Sequence, residues 1–459
     1  MAKEKNATKE NVIEISKPSF SKKIGFVSLG CDKNRVDTEN IITVLSQYPC
    51  FSFVFDKEQA DIIIVNTCSF LQSARDEAGA VITEMSALKQ KNLQKLIVAG
   101  CLPLLNGKDV LKQFPLVDKI IVPDEYKNID KIIFDMFKTK TPKEKKEVEA
   151  RIITTPMHYA YLKIADGCNN RCAYCKIPFI RGKYISLPME EILKEAEALT
   201  NKGVKELILV AQDITRYGMD LYKGFKLKEL LQKLSKIKKL SWIRLLYCYP
   251  DMMDKELIEE IRDNHKVIKY VDIPLQHISN NMLKAMKRRG SKEEIENLIT
   301  TLRREIPDIK IRSTFMVGFP GETEKDIKEL VSFLKTFKLD NVGFFKYSRE
   351  EGTSSYDLPN QVSEKVKDKR LKKVQLVQQK VAAENNKAMI GNTYKVLCDS
   401  YDAKHKFYVG RGYFSAPDID FEILFSSFKK VPVGSFIDVK IVDYKDEFFI
   451  GEVEFDEFA

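Results

Sequence analysis

The chain has 459 residues, too many for one ordinary domain; at about 150 residues per domain it suggests three. With 44% hydrophobic and 31% charged residues it reads as globular, no apolar run approaches the roughly 20 residues of a membrane span, and the lysine-rich N-terminus lacks the apolar stretch of a secretion signal. Nine cysteines in such a chain point to thiol or metal chemistry in a reducing, cytoplasmic setting, and the net charge of +10 points to an acidic partner such as nucleic acid.

Residues 1–22 read as a disordered leader. Over 23–137, short apolar runs, IGFVSLG (24–30), IIIVNT (62–67) and LIVAG (96–100), alternate with helix-compatible stretches at 34–48 and 70–92. Runs that are apolar on both faces are how buried parallel strands read, so an open α/β sheet is expected. A linker is expected over 138–157, where residues 138–151 carry six Lys or Arg and a proline. From 158 to 390 a second alternation places strands at 161–166, 206–212, 242–249, 269–275, 311–319 and 342–348. Six βα units fit a partial parallel (βα)6 barrel, because a complete barrel needs about 250 residues. The trailing helix over 363–389 spaces Val366, Val374, Val377 and Val381 for one packed face. Residues 391–459 change character: short alternating strands at 393–402, 406–414, 431–444 and 447–455, with Gly and Pro between them, predict a small antiparallel β-barrel. The expected fold class is thus α/β and multidomain.

The strongest chemical signal is Cys168-Asn-Asn-Arg-Cys172-Ala-Tyr-Cys175, directly after the first strand of the expected barrel. Three thiolates in one loop at a strand's C-terminal end suit a single metal or cluster. Zinc wants a fourth N or S ligand, and the nearest candidates, His158 and Cys248, lie outside the loop. An iron–sulfur cluster with three protein ligands keeps one iron open for a substrate or cofactor, and Arg171, Lys176, Arg181 and Lys183 stand nearby to offset its negative charge. Cys31, Cys68 and Cys101 each close a predicted strand of the first domain. Ends of parallel strands line one edge of a sheet, so a second thiolate site is geometrically open to them; buried strand cysteines without a role are the alternative. Cys50, Cys248 and Cys398 have no partner at ligand spacing and read as packing residues. Gly25–Gly30 has phosphate-loop spacing, but Cys31 and Asp32 stand where Lys and Ser/Thr are needed. Val317-Gly-Phe-Pro-Gly-Glu-Thr323 reads as a strand-to-helix turn or, alternatively, as backbone approaching a ligand.

The loop, with Tyr174 immediately before its third cysteine, resembles the CxxxCxΦC signature of radical S-adenosylmethionine (SAM) enzymes. Together with SLGCDKNRVDTE, NTCSF, AGCLP, QDITRYGMDLY, YVDIPLQHIS, FMVGFPGETE, YSREEGTSSYDLPNQV and YVGRGYFSAPDID it resembles the methylthiotransferases from about residue 23 to the C-terminus. That resemblance implies two [4Fe–4S] clusters. One, on Cys168, Cys172 and Cys175, would bind SAM through its open iron, with Tyr174 near the adenine; the other, on Cys31, Cys68 and Cys101, would deliver sulfur. Gln212 and Asp213, which end a strand, and Gln276 and Gly318 are the further candidates for SAM contacts. No side chain is assigned as catalytic, since clusters and SAM carry the chemistry. The C-terminal strands resemble a TRAM domain.

Within the family, SLGCDKN and YSREEGTSSYDLP resemble the branch that methylthiolates the β-carbon of an aspartate in small-subunit ribosomal protein twelve, with reductase and sulfur donor unidentified. The alternatives are the branch acting on a tRNA adenosine and, from another class, an iron–sulfur electron carrier. Charge bears on the choice: residues 391–459 hold 8 Lys+Arg and 13 Asp+Glu, a net of −5, against +15 for the rest. An acidic module repels phosphates and attracts a basic protein, so a basic protein substrate is expected, with tRNA only under the alternative.

Overall fold

Branched apolar residues build the first sheet. β1 (Lys22–Ser28), β2 (Phe51–Phe53), β3 (Ile62–Thr67), β4 (Lys95–Gly100) and β5 (Lys119–Ile120) pair in the order β2-β1-β3-β4-β5, all parallel. The computed structural model describes residues 20–453, so the leader expected over 1–22 lies outside them except for its last three residues. β3 is buried along its whole length: Ile62 and Ile64 enter one core with Tyr48 and Phe134, Ile63 and Val65 the other with Ile82 and Val98. This is the two-sided burial of a parallel strand. Each of β1, β3 and β4 is followed, within a few residues, by a helix: α1 (Asp32–Ser46), α2 (Gln72–Ala87) and α3 (Cys101–Asn106).

The second body opens with β6 (Tyr159–Lys163) and a small hairpin, β7 (Ala165–Asp166) with β8 (Ile185–Ser186), that brackets the cysteine loop. β9 (Glu206–Val210), β10 (Trp242–Leu245), β11 (Val267–Asp272), β12 (Lys310–Val317) and β13 (Asn341–Lys346) follow, giving a six-stranded parallel sheet in the order β13-β12-β11-β10-β9-β6. This is the expected partial barrel. Side chains alternate strictly: Ala160, Leu162, Leu207, Leu209, Ile243 and Leu245 pack outward under the helices. Tyr159, Tyr161, Ile208, Val210, Trp242 and Tyr270 face inward.

β14 (Thr393–Asp402), β15 (Phe407–Arg411), β16 (Ile423–Ser426), β17 (Phe436–Lys445) and β18 (Phe448–Val453) close a barrel in the order β14-β15-β16-β18-β17. Two details differ from expectation: β16 adds a fifth strand, and it pairs with β18 in parallel. This barrel sits against the inner face of the partial barrel. Leu397 and Ala416 join the inward cluster, and Trp242 meets Phe436 edge-on at 4.7 Å. A buried ion network crosses the same seam: Glu206 accepts from Arg244 at 2.7 Å and from Arg411 at 2.8 Å, and Arg411 also reaches Asp399 at 2.7 Å.

The helix Glu364–Lys387 packs differently from its valine pattern. Val374 and Val381 are buried as expected, but Val366 is half-buried while Lys367 and Arg370 are buried. Hydrogen bonds explain it: Lys367 donates to the Tyr347 carbonyl at 2.9 Å and Arg370 to the Glu322 carboxylate at 2.9 Å. Among the described residues no helix is long and apolar enough to cross a membrane.

Candidate active site

The loop Cys168–Cys175 leaves the β7–β8 hairpin through Gly167, whose φ is +74° and where an added Cβ would lie 2.0 Å from the Lys183 carbonyl oxygen. Only glycine lets the two backbones approach so closely. Cys168 and Cys172 are buried and Cys175 is half-buried. Around Cys172 the surroundings are cationic and hydrogen-bonding: Arg288 Nη1 lies 3.8 Å and the Tyr249 hydroxyl 3.4 Å from its Sγ, and the Arg288 guanidinium stacks 4.2 Å from the Tyr249 ring. The Ile177 N–H donates to Cys175 Sγ at 3.4 Å. Burial, with Cys172 beside it, pushes the Cys175 thiol up to about 12, so this loop favours thiolates only when a cation such as iron is bound to them.

The second trio is set by the first sheet. Cys31 directly precedes α1, Cys68 follows β3, and Cys101 opens α3. Cys31 stands three residues past the end of β1, further than the sequence suggested, because Leu29 and Gly30 make the turn. Gly30 has φ +88° and an added Cβ would meet Cys68 Cβ at 2.6 Å, so this glycine lets the two cysteine loops close together. Burial pushes Cys101 up to about 11, opposed by the nearby Arg181 guanidinium. Arg181 donates to Asp37 at 2.8 Å and to Asn34 at 2.5 Å, both on α1. Of the four cations expected to flank the first trio, Arg181 therefore turns to the second. α3, which begins at Cys101, packs against the helix Ile177–Ile180 that follows Cys175, so the two trios occupy adjoining elements.

The remaining candidates ring the same mouth but differ in what they have free. Gln212 donates to Asp166 at 2.9 Å and leaves its Oε1 buried without a hydrogen-bond partner among the described residues; Gln276 Oε1 and Asn170 Oδ1 are in the same state. Unpaired buried acceptors around one loop are a cradle for a polar ligand. Asp213, by contrast, is fully used: it accepts from Asn170 at 2.9 Å, Thr215 Oγ1 at 2.5 Å and Arg216 at 3.0 Å. The Gly318 N–H is also taken, donating to both Glu322 oxygens at 2.9 Å. Tyr174 is half-buried against the cluster of Ala173, Met286 and Phe319. His277 is a structural residue, with Nδ1 accepting from the Ile278 and Ser279 N–H groups at 2.9 and 3.0 Å.

Neither zinc candidate joins the loop: His158 Nε2 bonds Asp399 at 2.7 Å, and Cys248 is buried in the core beneath the helices. Cys50 and Cys398 are likewise core residues. Arg288, Tyr249, Asn34 and Asp37 were not foreseen. Asn34 and Asp37 share one face of α1 by their three-residue spacing, a signal that becomes readable only once the helix start is known.

Comparisons with known proteins agree with this layout. Residues 162–334 match the radical SAM superfamily, 23–122 the uncharacterised protein family UPF0004, and 390–453 the TRAM domain. The chain is 45% identical to the ribosomal protein uS12 methylthiotransferase RimO of Acetivibrio thermocellus over 95% of this chain and 99% of that one. It is 44% identical to the protein of the same name from a Thermoanaerobacter species, over 94% and 100%. Among solved structures, the radical SAM methyltransferase TsrM from Kitasatospora setae superposes with a TM-score of 0.54 at 15% identity, covering 73% of this chain and 77% of that one. At that identity the likeness concerns the fold.

Proposed function

We propose, on the premise that this chain belongs to the RimO family of radical SAM methylthiotransferases, that it transfers a methylthio group to the β-carbon of an aspartate in ribosomal protein uS12. The observation that carries this reading is the pairing of two cysteine trios on adjoining elements, with Arg181 reaching from the radical SAM loop into the second trio. Cys168, Cys172 and Cys175 would hold a [4Fe–4S] cluster with an iron left for SAM, and Cys31, Cys68 and Cys101 a second one. Bound there, the clusters and SAM supply the electron, the hydrogen-abstracting radical and the sulfur that no side chain of the protein can.

The protein's own residues bind, orient and shield. Arg288 offsets thiolate charge at Cys172. The unpaired oxygens of Gln212, Gln276 and Asn170 match the amino groups of SAM, with Tyr174 beside the adenine. The first domain covers the mouth: Glu350 from the far end of the barrel sheet accepts from Arg75 at 2.6 Å and from the Gln72 N–H at 2.7 Å, holding α2 down over the loop.

Anaerobic incubation of the reconstituted full-length protein with SAM, a reductant and either uS12 or tRNA tests the reading. Mass spectrometry is expected to find the methylthio group on a uS12 aspartate. Its appearance on a tRNA adenosine alone would overturn the substrate, and a fully loaded protein that leaves SAM uncleaved would be an electron carrier.

A further inference from the structure

A cleft of about 1010 Å³ lies between β13, the helix Glu364–Lys387 and the C-terminal barrel, away from the cysteine loops. Four features of it point to one kind of occupant. First, β13 is the edge of its sheet: among the described residues it pairs with β12 alone, so one row of its backbone N–H and C=O groups faces the cleft. Second, Gly343 stands mid-strand on that edge, and an added Cβ would meet nothing nearer than 3.9 Å. Glycine inside a strand marks a place where another backbone can come close.

Third, Gln375, Gln378 and Gln379 line the cleft from the helix. Gln378 is only 5% exposed; its Nε2 donates to the Leu339 carbonyl at 3.0 Å, and its Oε1 has no hydrogen-bond partner among the described residues. A buried amide oxygen left so is unfavourable, and a peptide N–H entering the cleft would satisfy it. Fourth, the lips are acidic. Glu422, Asp446 and Glu447 line the cleft and make no ion pair among the described residues, and Asp418 adds a further charge beside its contact with Arg35. The lone lining cation, Arg312, is already held by Asp272 at 3.2 Å and Asp420 at 3.4 Å.

We infer that β13 takes up an extended, lysine- and arginine-rich segment of the protein substrate as an added strand. This rests on uS12, a basic ribosomal protein, being the substrate, and it names where that substrate docks. Backbone pairing to the edge gives grip, the glutamines satisfy peptide groups, and the acidic lips select basic side chains over phosphates. Direction follows from the chain: past its C-terminal end, β13 runs through Tyr347 to Ser355, whose N–H donates to the Ala173 carbonyl inside the cysteine loop at 3.0 Å. A strand laid along the roughly 20 Å of β13 therefore points its continuation at the mouth.

Hydrogen–deuterium exchange of the full-length reconstituted enzyme, with and without uS12, tests this. Amides of 341–346 are expected to slow by about tenfold or more on binding, and D446N/E447Q, which removes two of the unpaired charges at the lips while keeping side-chain size, is expected to weaken uS12 affinity by about tenfold. Binding of uS12 that leaves the exchange of 341–346 unchanged overturns the inference while leaving the substrate reading intact. Binding of tRNA without any binding of uS12 overturns both.

Discussion

Arg181 and Asp37 form an ion pair across the domain boundary, 2.8 Å apart, with both side chains at least 97% buried. Asp37 also holds Lys163 at 2.5 Å, so one carboxylate of α1 neutralises two cations of the radical SAM domain. Asp166 serves both cations more loosely, at 3.1 and 3.3 Å. Replacing Asp37 by Asn keeps the shape and removes the charge. Removing one partner of a buried pair costs about 3–5 kcal/mol, because the remaining charge stays buried. D37N is therefore expected to melt markedly earlier in calorimetry of the iron-free protein. A melting temperature within a degree of wild type would show that Asp166 carries the load.

Glu206 makes the seam with the C-terminal barrel sensitive to acid. Burial alone would push its carboxyl up, but the Arg411 and Arg244 guanidinium groups outweigh that and hold it below the usual range. A carboxyl depressed in the folded state stabilises fully above its unfolded value of about 4.3, and the contribution fades as pH falls through the folded value. At neutral pH E206Q is expected to lose about 3–5 kcal/mol. The gap between wild type and E206Q should stay constant from neutral to about pH 5 and shrink in stronger acid, as denaturant unfolding at stepped pH would record. A gap that widened in acid would mean that Glu206 is protonated in the fold.

These two pairs mark where reading the chain stops. The longer parallel strands were legible because runs apolar on both faces set them off from their surroundings; β2, β5 and β16 are too short to stand out. Cys168, Cys172 and Cys175 were legible as a group by their spacing in one loop, and the positions of Cys31, Cys68 and Cys101 near strand ends by the order of the strands. The inward face of the partial barrel was not: Tyr159, Tyr161 and Trp242 read as ordinary strand residues, and only the fold shows that another domain fills that face. Charge was legible as a total and by region, but not by position. Lys367 and Arg370 are buried on a helix whose packed face was read from its valines alone, and Arg181 serves the trio on which the sequence had not placed it.

Arg288 brings a positive charge to the radical SAM cysteines, its Nη1 3.8 Å from Cys172 Sγ, and its other Nη donates to the Pro274 carbonyl at 2.5 Å. Hydrogen bonds and positive charge at cluster sulfurs favour the reduced state, so their loss makes reduction harder. R288L is expected to retain its iron while its midpoint potential moves to more negative values in an EPR-monitored titration. R288K, which keeps the charge but not the fork, should fall between. An unchanged potential in R288L would reduce Arg288 to a packing partner of Tyr249.

The two-cluster reading makes a stoichiometric prediction that activity assays cannot mimic. If both trios bind cubanes, wild type carries about eight irons per chain after anaerobic reconstitution, and C31A/C68A/C101A carries about four. Because Cys101 is buried while Cys31 is exposed, the triple variant also removes one core thiol, so it is expected to lose some stability as well. SAM cleavage to deoxyadenosine should survive in that variant, since Cys168, Cys172 and Cys175 are untouched, whereas methylthiolated product should not form. Four irons in the wild type, unchanged in the variant, would leave the first domain without a cluster and return Cys31, Cys68 and Cys101 to the status of strand-end residues.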